Sequence, residues 1–170
     1  MVAIMSLSRI PSSVVSIGVC GIVVAGGGLA LDVAILGSGA SGGELDNFYR
    51  TLAVVTIPLN LCLAIGSRGA LLSRQWSRRC MLLWSGMALL YAVGRLVLTF
   101  TWAAPTATAM SRAALAGQPP SEFGPEFSGM MVALVGMLIC ILTSILPVFT
   151  LVVLTRRHVR DFFEFTPPRQ

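Results

Sequence analysis

Two ionisable residues lie inside long apolar stretches of the sequence, and they are the first candidates for chemistry. Asp32 interrupts one apolar stretch near the N-terminus, and Arg95 interrupts another near the middle of the chain. A charged side chain in the hydrocarbon of a bilayer costs at least about 2.5–3.5 kcal/mol, so such residues are expected to have partners. The sequence therefore predicts an intramembrane ion pair between Asp32 and Arg95, which would neutralise both charges and join two helices.

Each of these charges also has other interpretations. Asp32 would lie among the lipid headgroups if its helix ends near Leu31, and Arg95 could meet an acidic residue of another subunit or a lipid phosphate. A proton or ion relay is a further alternative, although a relay carboxylate is usually held away from a permanent cation. Asn60, in another apolar stretch, is expected to make an interhelical hydrogen bond, with Tyr91 or Thr99 as candidate partners, because an amide needs partners in hydrocarbon.

The other reactive residue types do not form a recognisable catalytic or metal-binding pattern. The four cysteines have no C-x-x-C spacing and are interpreted as small apolar helix residues, with a shared thiol or metal cluster as the lesser alternative. The single histidine, His158, cannot supply two haem ligands, and a chain without lysine cannot form a Walker A loop. We predict no catalytic residue, no metal and no cofactor; bound lipid is expected, and pigment or quinone binding is left open.

The elements that position these residues are long apolar segments. Of the 170 residues, 55% are apolar and 11% are charged, whereas about a quarter of the residues of a soluble domain are charged. About 20 apolar residues cross a bilayer as a helix, and four stretches meet this requirement, at about 14–37, 48–66, 81–104 and 128–155. The sequence predicts an all-α integral membrane protein, a single membrane domain over 1–170 built as an antiparallel four-helix bundle. The first stretch exceeds the apolar core of a signal peptide, so we interpret it as a retained span.

The arginines predict the orientation of this bundle, because cytoplasmic loops carry an excess of basic residues. Nine of them lie before the first stretch, between the second and third, or after the fourth, whereas Arg50 and Arg112 lie on the other side. Both termini are therefore expected to be cytoplasmic, in what we interpret as a bacterial plasma membrane. Residues 105–127 would form an external loop whose first half could be a short helix, and 156–170 a cytoplasmic tail.

Small residues recur at helical spacing in these stretches and predict close helix packing. In the first and fourth stretches they are Gly18, Gly21, Gly28, Gly129, Ala133 and Gly136. In the tail, an amphipathic segment places Phe162 and Phe163 opposite a basic face that contains Arg156, Arg157 and Arg160. We expect this segment to lie on the membrane surface as a lipid anchor, with a docking surface for a partner protein as the alternative.

These features favour a function without catalysis. The first hypothesis is a four-helix membrane subunit that scaffolds, assembles or regulates a larger membrane protein complex. The alternative is a small homo-oligomeric transporter or channel that uses Asp32 and Arg95. The expected partners are the lipid bilayer and other membrane protein subunits, and we expect no nucleic acid, because the arginines flank apolar spans.

Overall fold

The structure is a computed structural model that describes residues 10–37, 43–116 and 124–165. The described residues are 94% helical and include no strand. Their helices are α1 (Ser12–Gly37), α2 (Glu44–Leu71), α3 (Gln75–Leu98), α4 (Ala104–Leu115), α5 (Pro125–Thr155) and α6 (Arg157–Phe165), with a π-helical segment, Thr99–Ala103, between α3 and α4. Four segments are long and apolar enough to cross a membrane: Ser12–Gly37, Leu45–Leu71, Gln75–Leu115 and Pro125–Thr155. The prediction of an all-helical chain with four candidate spans is confirmed.

The helices are longer than the apolar stretches that predict them. Helix α2 continues about one turn beyond its stretch at each end, and α3 begins six residues earlier, at Gln75. The largest difference lies after residue 98, where α3 passes through the π-helical segment directly into α4. The short helix expected in the first half of the external loop is therefore present as α4, but it continues the third candidate span instead of standing alone. Pro105 lies just after the π-helical segment, and the helix continues past it.

Neighbouring helices in the chain pack with their residues in opposite order. Gly18, near the start of α1, faces Leu71 at the end of α2, whereas Gly28 faces Asn60. The same opposite order joins α3 to α5, since the Arg78 Nε donates to the Leu154 carbonyl oxygen at 3.1 Å and Gly136 faces Thr99. A three-residue turn joins α2 to α3, and Ser73 within it has a φ of 54°, in the left-handed region that favours glycine.

The main hydrophobic core lies at one end of the bundle. It unites residues from the start of α1, the end of α2, the start of α3, the end of α5 and α6, including Ile17, Leu63, Met81, Leu154 and Phe163. The arginines beside these helix ends form what we call the Arg-rich end, which comprises Arg68, Arg74, Arg78, Arg79, Arg156, Arg157 and Arg160. One end of the molecule therefore combines its best-packed core with most of its positive charge.

Candidate functional site

A buried polar cluster joins α1 to α2 at Asp32. The Asp32 side chain is 6% exposed, and each of its carboxylate oxygens accepts one hydrogen bond from α2. The Thr56 hydroxyl donates to Oδ1 at 2.7 Å, and the Asn60 Nδ2 donates to Oδ2 at 3.0 Å. Thr56 and Asn60 are four residues apart and therefore lie on one face of α2. The carboxylate is satisfied by two neutral donors from the neighbouring helix.

Gly28 makes this cluster possible, because it lies one helical turn before Asp32 on the same face of α1. A Cβ atom at position 28 would lie 2.6 Å from the Asn60 Nδ2 and 2.9 Å from its Oδ1. Real Cβ atoms essentially never come within 3.0 Å of another heavy atom, so any side chain here would displace the Asn60 amide. The glycine thus allows the two helices to approach closely enough for Asn60 to reach Asp32.

The structure does not bring Asp32 and Arg95 together as an ion pair. Within 10–37, 43–116 and 124–165, the ion pairs are Arg50–Asp46 at 3.5 Å and Arg112–Glu126 at 3.4 Å. The Asp32 oxygens point to α2 instead, because α2 supplies two donors at the same level. Asn60 does make an interhelical hydrogen bond, and its partner is Asp32 rather than Tyr91 or Thr99. The Thr99 hydroxyl donates to the Arg95 carbonyl oxygen of its own helix.

Arg95 lines a cleft that we call the Arg95 cleft, between α2, α3 and α5. Its volume is about 220 Å³, and it is lined by Phe48, Tyr49, Arg95, Thr99, Met131, Val132, Val135, Gly136 and Ile139. No ion pair or side-chain hydrogen bond engages the Arg95 guanidinium within the described parts of the chain. The Phe48 ring also packs against Trp102 of the π-helical segment, with 4.9 Å between ring centroids. The cleft combines one unpaired cation with aromatic and aliphatic walls.

A second and larger depression, the α2–α3 groove, runs along two of the candidate spans. Its volume is about 740 Å³, and its lining is almost wholly apolar: Val54, Val55, Pro58, Leu59, Cys62, Cys80, Leu83, Trp84, Met87 and Tyr91. The Tyr91 hydroxyl is buried and has no hydrogen-bond partner within the described residues. The Cys80 thiol donates to the Cys62 carbonyl oxygen, with 3.9 Å between Sγ and the oxygen. The groove is therefore almost wholly apolar, with two thiols in its lining.

Most of the predicted packing residues lie where helices approach closely. A Cβ at Gly18 would lie 2.7 Å from the Leu71 side chain, and one at Gly21 would overlap the Ser67 hydroxyl. A Cβ at Gly129 would overlap the Thr108 hydroxyl of α4, and a Cβ at Gly136 would lie 2.5 Å from the Thr99 side chain. Ala133, between them on α5, is half-buried.

The C-terminal helix is placed differently from the expected surface anchor. Val159 and Phe163 are 0% and 1% exposed and belong to the main core, and Phe162 is partly buried against it. Arg156, Arg157 and Arg160 are exposed on the opposite side. The apolar face of α6 therefore packs on its own bundle, against the beginning of α3 and the end of α5, instead of facing lipid.

Sequence reasoning missed both depressions, because a groove depends on how helices are set side by side. The Asp32 cluster had a detectable signal, namely the four-residue spacing of Thr56 and Asn60 in an apolar stretch. Among the described residues, no three His, Cys, Asp or Glu side chains converge on a point that could hold a metal ion. No protein-family model, curated protein or solved structure matches this chain.

Proposed function

We propose that the chain is a non-catalytic integral membrane subunit that assembles with another membrane protein. In this proposal the four candidate spans cross a bacterial plasma membrane as an antiparallel bundle. Both termini and the Arg-rich end face the cytoplasm. The opposite order of the helix contacts supports the antiparallel arrangement, and the concentration of arginines supports the orientation.

The observation that carries the proposal is the α2–α3 groove. Along α2 it extends from Val54 to Cys62, and along α3 from Cys80 to Tyr91, which corresponds to about 12–17 Å at 1.5 Å per residue. This elongated shape parallels the spans and matches two to three turns of a third helix. The almost wholly apolar lining of the groove suits the apolar side chains of another membrane helix. We infer that the occupant is a transmembrane helix of a different subunit.

The native cysteines allow a direct test. Variants that retain only Cys62 or only Cys80 carry a thiol in the groove, and a variant that retains only Cys20 carries an exposed thiol on α1 as the matched control. Each variant is expressed from the native locus of the gene, so that natural partners are present. Its thiol is then labelled in membranes with a photoactivatable thiol reagent, and the membranes are illuminated. We expect Cys62 and Cys80 to give one shared adduct with a distinct polypeptide, and Cys20 not to give it.

A substitution that fills the groove tests whether the cross-linked polypeptide needs the groove for assembly with this chain. Val55 lines the groove and is 46% exposed, and Val19 of α1 lies outside it at 50%. After mild solubilisation, we expect Val55→Trp to lose the stoichiometric partner and Val19→Trp to keep it. Equal retention by both variants, or adducts formed only with lipid, would contradict the proposal. An adduct between two copies of this chain would contradict a different subunit as the occupant.

The alternative is a small homo-oligomeric transporter or channel, and the Asp32 cluster is the observation that favours it. Asp32 is an acidic residue buried within a candidate span, and carboxylates in such positions often mark proton or ion pathways. This function is tested in proteoliposomes that contain the purified chain alone. Ion or proton flux that is lost in Asp32→Asn but kept in Asp46→Asn, a carboxylate at the start of α2, would support it.

A further inference from the structure

The Arg95 guanidinium in the cleft forms no ion pair within the described parts of the chain. Arginine stays protonated under all conditions that a protein meets, so the guanidinium requires an anion or water. The two described ion pairs use Asp46 and Glu126 for other arginines, and Asp32 is engaged by α2. Nothing described in the cleft is acidic. An anion that neutralises Arg95 would therefore come from outside these residues.

The depth of the cleft indicates where that anion comes from. Phe48 and Tyr49 line it about one turn after the start of α2 at Glu44, which is about 6–8 Å along the helix. Trp102 packs against Phe48 at the same level. Tryptophan and tyrosine concentrate where lipid headgroups meet the hydrocarbon. Arg95 lies seven residues before Trp102, about 10 Å along the helix, so in the proposed membrane its long side chain would extend through the cleft toward the headgroups.

The rest of the cleft suits an acyl chain. Val132, Val135 and Ile139 follow one another at three- or four-residue spacing along α5 and form an aliphatic wall. Val135 is 48% exposed and Met131 is 42% exposed, so this wall faces outward from the bundle. Just beyond Arg95, the regular hydrogen-bond pattern of α3 changes to the π-helical segment Thr99–Ala103. Such irregularities occur frequently at functional sites.

We propose that the Arg95 cleft is a binding site for a membrane phospholipid of the non-cytoplasmic leaflet. The guanidinium donates hydrogen bonds to the lipid phosphate, in the geometry that arginine favours with phosphate oxygens. One acyl chain lies along the Val132–Ile139 wall, and the Phe48 and Tyr49 rings flank the glycerol region. The inference rests on the proposed membrane insertion, but it does not require the partner helix in the α2–α3 groove, which uses other residues.

The test measures lipid binding to the purified full chain after delipidation in detergent. Dioleoylphosphatidylglycerol is titrated and the bound lipid is counted by native mass spectrometry. We expect one tightly bound lipid, with affinity at least tenfold lower in Arg95→Gln and intermediate affinity in Arg95→Lys, since lysine binds phosphate as a point charge. Arg112→Gln is the matched control, because Arg112 is exposed on α4 and outside the cleft; its affinity should equal that of the unmodified chain.

Three further measurements separate the phospholipid from other anions and from misfolding. Dioleoylglycerol, which lacks the phosphate, should bind at least tenfold more weakly, and millimolar inorganic phosphate should not displace the phospholipid. Val135→Phe, which narrows the cleft at an exposed position, should weaken binding without loss of helical signal. Equal binding of dioleoylglycerol, displacement by inorganic phosphate, or unchanged affinity in both Arg95→Lys and Val135→Phe would overturn the proposal. If the chain sediments with membranes but gives one of these outcomes, the proposed lipid site is wrong and the proposed membrane insertion still stands.

Discussion

The close approach of Gly28 to Asn60 allows the packing of α1 on α2 to be tested quantitatively. Because a Cβ at position 28 would lie 2.6 Å from the Asn60 Nδ2, Gly28→Ala must displace the amide or separate the helices. Either response weakens the hydrogen bond from Asn60 to Asp32. At Gly27, one residue earlier, a Cβ would meet no atom within 4 Å. Gly27→Ala is therefore a control substitution of identical chemistry.

The expected size of the effect follows from three contributions. Overpacking costs about 1–3 kcal/mol, and an interhelical hydrogen bond between membrane helices contributes about 0.6–1.7 kcal/mol. Replacing glycine by alanine inside a helix contributes about 1 kcal/mol in the opposite direction. We expect Gly28→Ala to lower the free energy of unfolding by about 0.5–4 kcal/mol, and Gly27→Ala to leave it unchanged or to raise it by up to about 1 kcal/mol.

Equilibrium unfolding in mixed micelles of a mild detergent and dodecyl sulfate, followed by circular dichroism, measures this difference. A double variant locates its origin: Asn60→Ala removes the atoms that the new methyl group meets. The Gly28→Ala/Asn60→Ala chain should therefore be more stable than the sum of the single effects predicts, by at least about 1 kcal/mol. If Gly28→Ala and Gly27→Ala have the same free energy of unfolding, the close contact between α1 and α2 is wrong.

Three other outcomes follow from the structure. Since Asp32 and Arg95 do not pair, the effects of Asp32→Ala and Arg95→Ala on the free energy of unfolding in detergent should add to within about 0.5 kcal/mol. A larger coupling energy would show that the two side chains do form an ion pair. Phe163→Ala should lower the free energy of unfolding by about 3–5 kcal/mol, because the Phe163 ring is 1% exposed. His158→Ala, at an exposed position of the same helix, should change that free energy by no more than about 0.5 kcal/mol. Similar thermal midpoints for the two variants would contradict the buried position of α6. Fusions of a reporter enzyme at Met1 and at Gln170 should both place the reporter in the cytoplasm. Fusions that place it on opposite sides of the membrane would refute the proposed orientation.

Hydropathy predicted the number and type of the spanning elements, because apolar composition alone determines which segments can cross a bilayer. It underestimated their lengths, since helices continue into charged flanks such as the beginning of α3 at Gln75. It also placed an external loop after residue 104, where the structure continues the helix as α4 to Leu115. Backbone hydrogen bonds continue through this region regardless of the fall in hydropathy, so composition does not indicate where the helix ends.

The candidate site was predictable in its residues but not in its pairings. Asp32, Asn60 and Arg95 were each identified as polar groups that require partners in an apolar setting. Their actual partners depend on which helix lies beside α1, and helical spacing within one segment carries no information about its neighbours. Thr56, whose hydroxyl donates to Asp32 at 2.7 Å, illustrates this limit. Likewise, the amphipathic pattern of α6 predicted an apolar face correctly but could not distinguish a lipid surface from the bundle itself as the surface it covers.

The position of α6 has a consequence for how the molecule matures. Val159 and Phe163 follow the fourth candidate span, yet they complete a core that includes Val14 and Ile17 of α1. Because α6 packs against the beginning of α3 and the end of α5, these two helices keep part of their apolar surface uncovered during synthesis until α6 leaves the ribosome. A chain that stops before α6 would keep that surface open to chaperones and proteases, so docking of this short helix would separate finished bundles from unfinished ones.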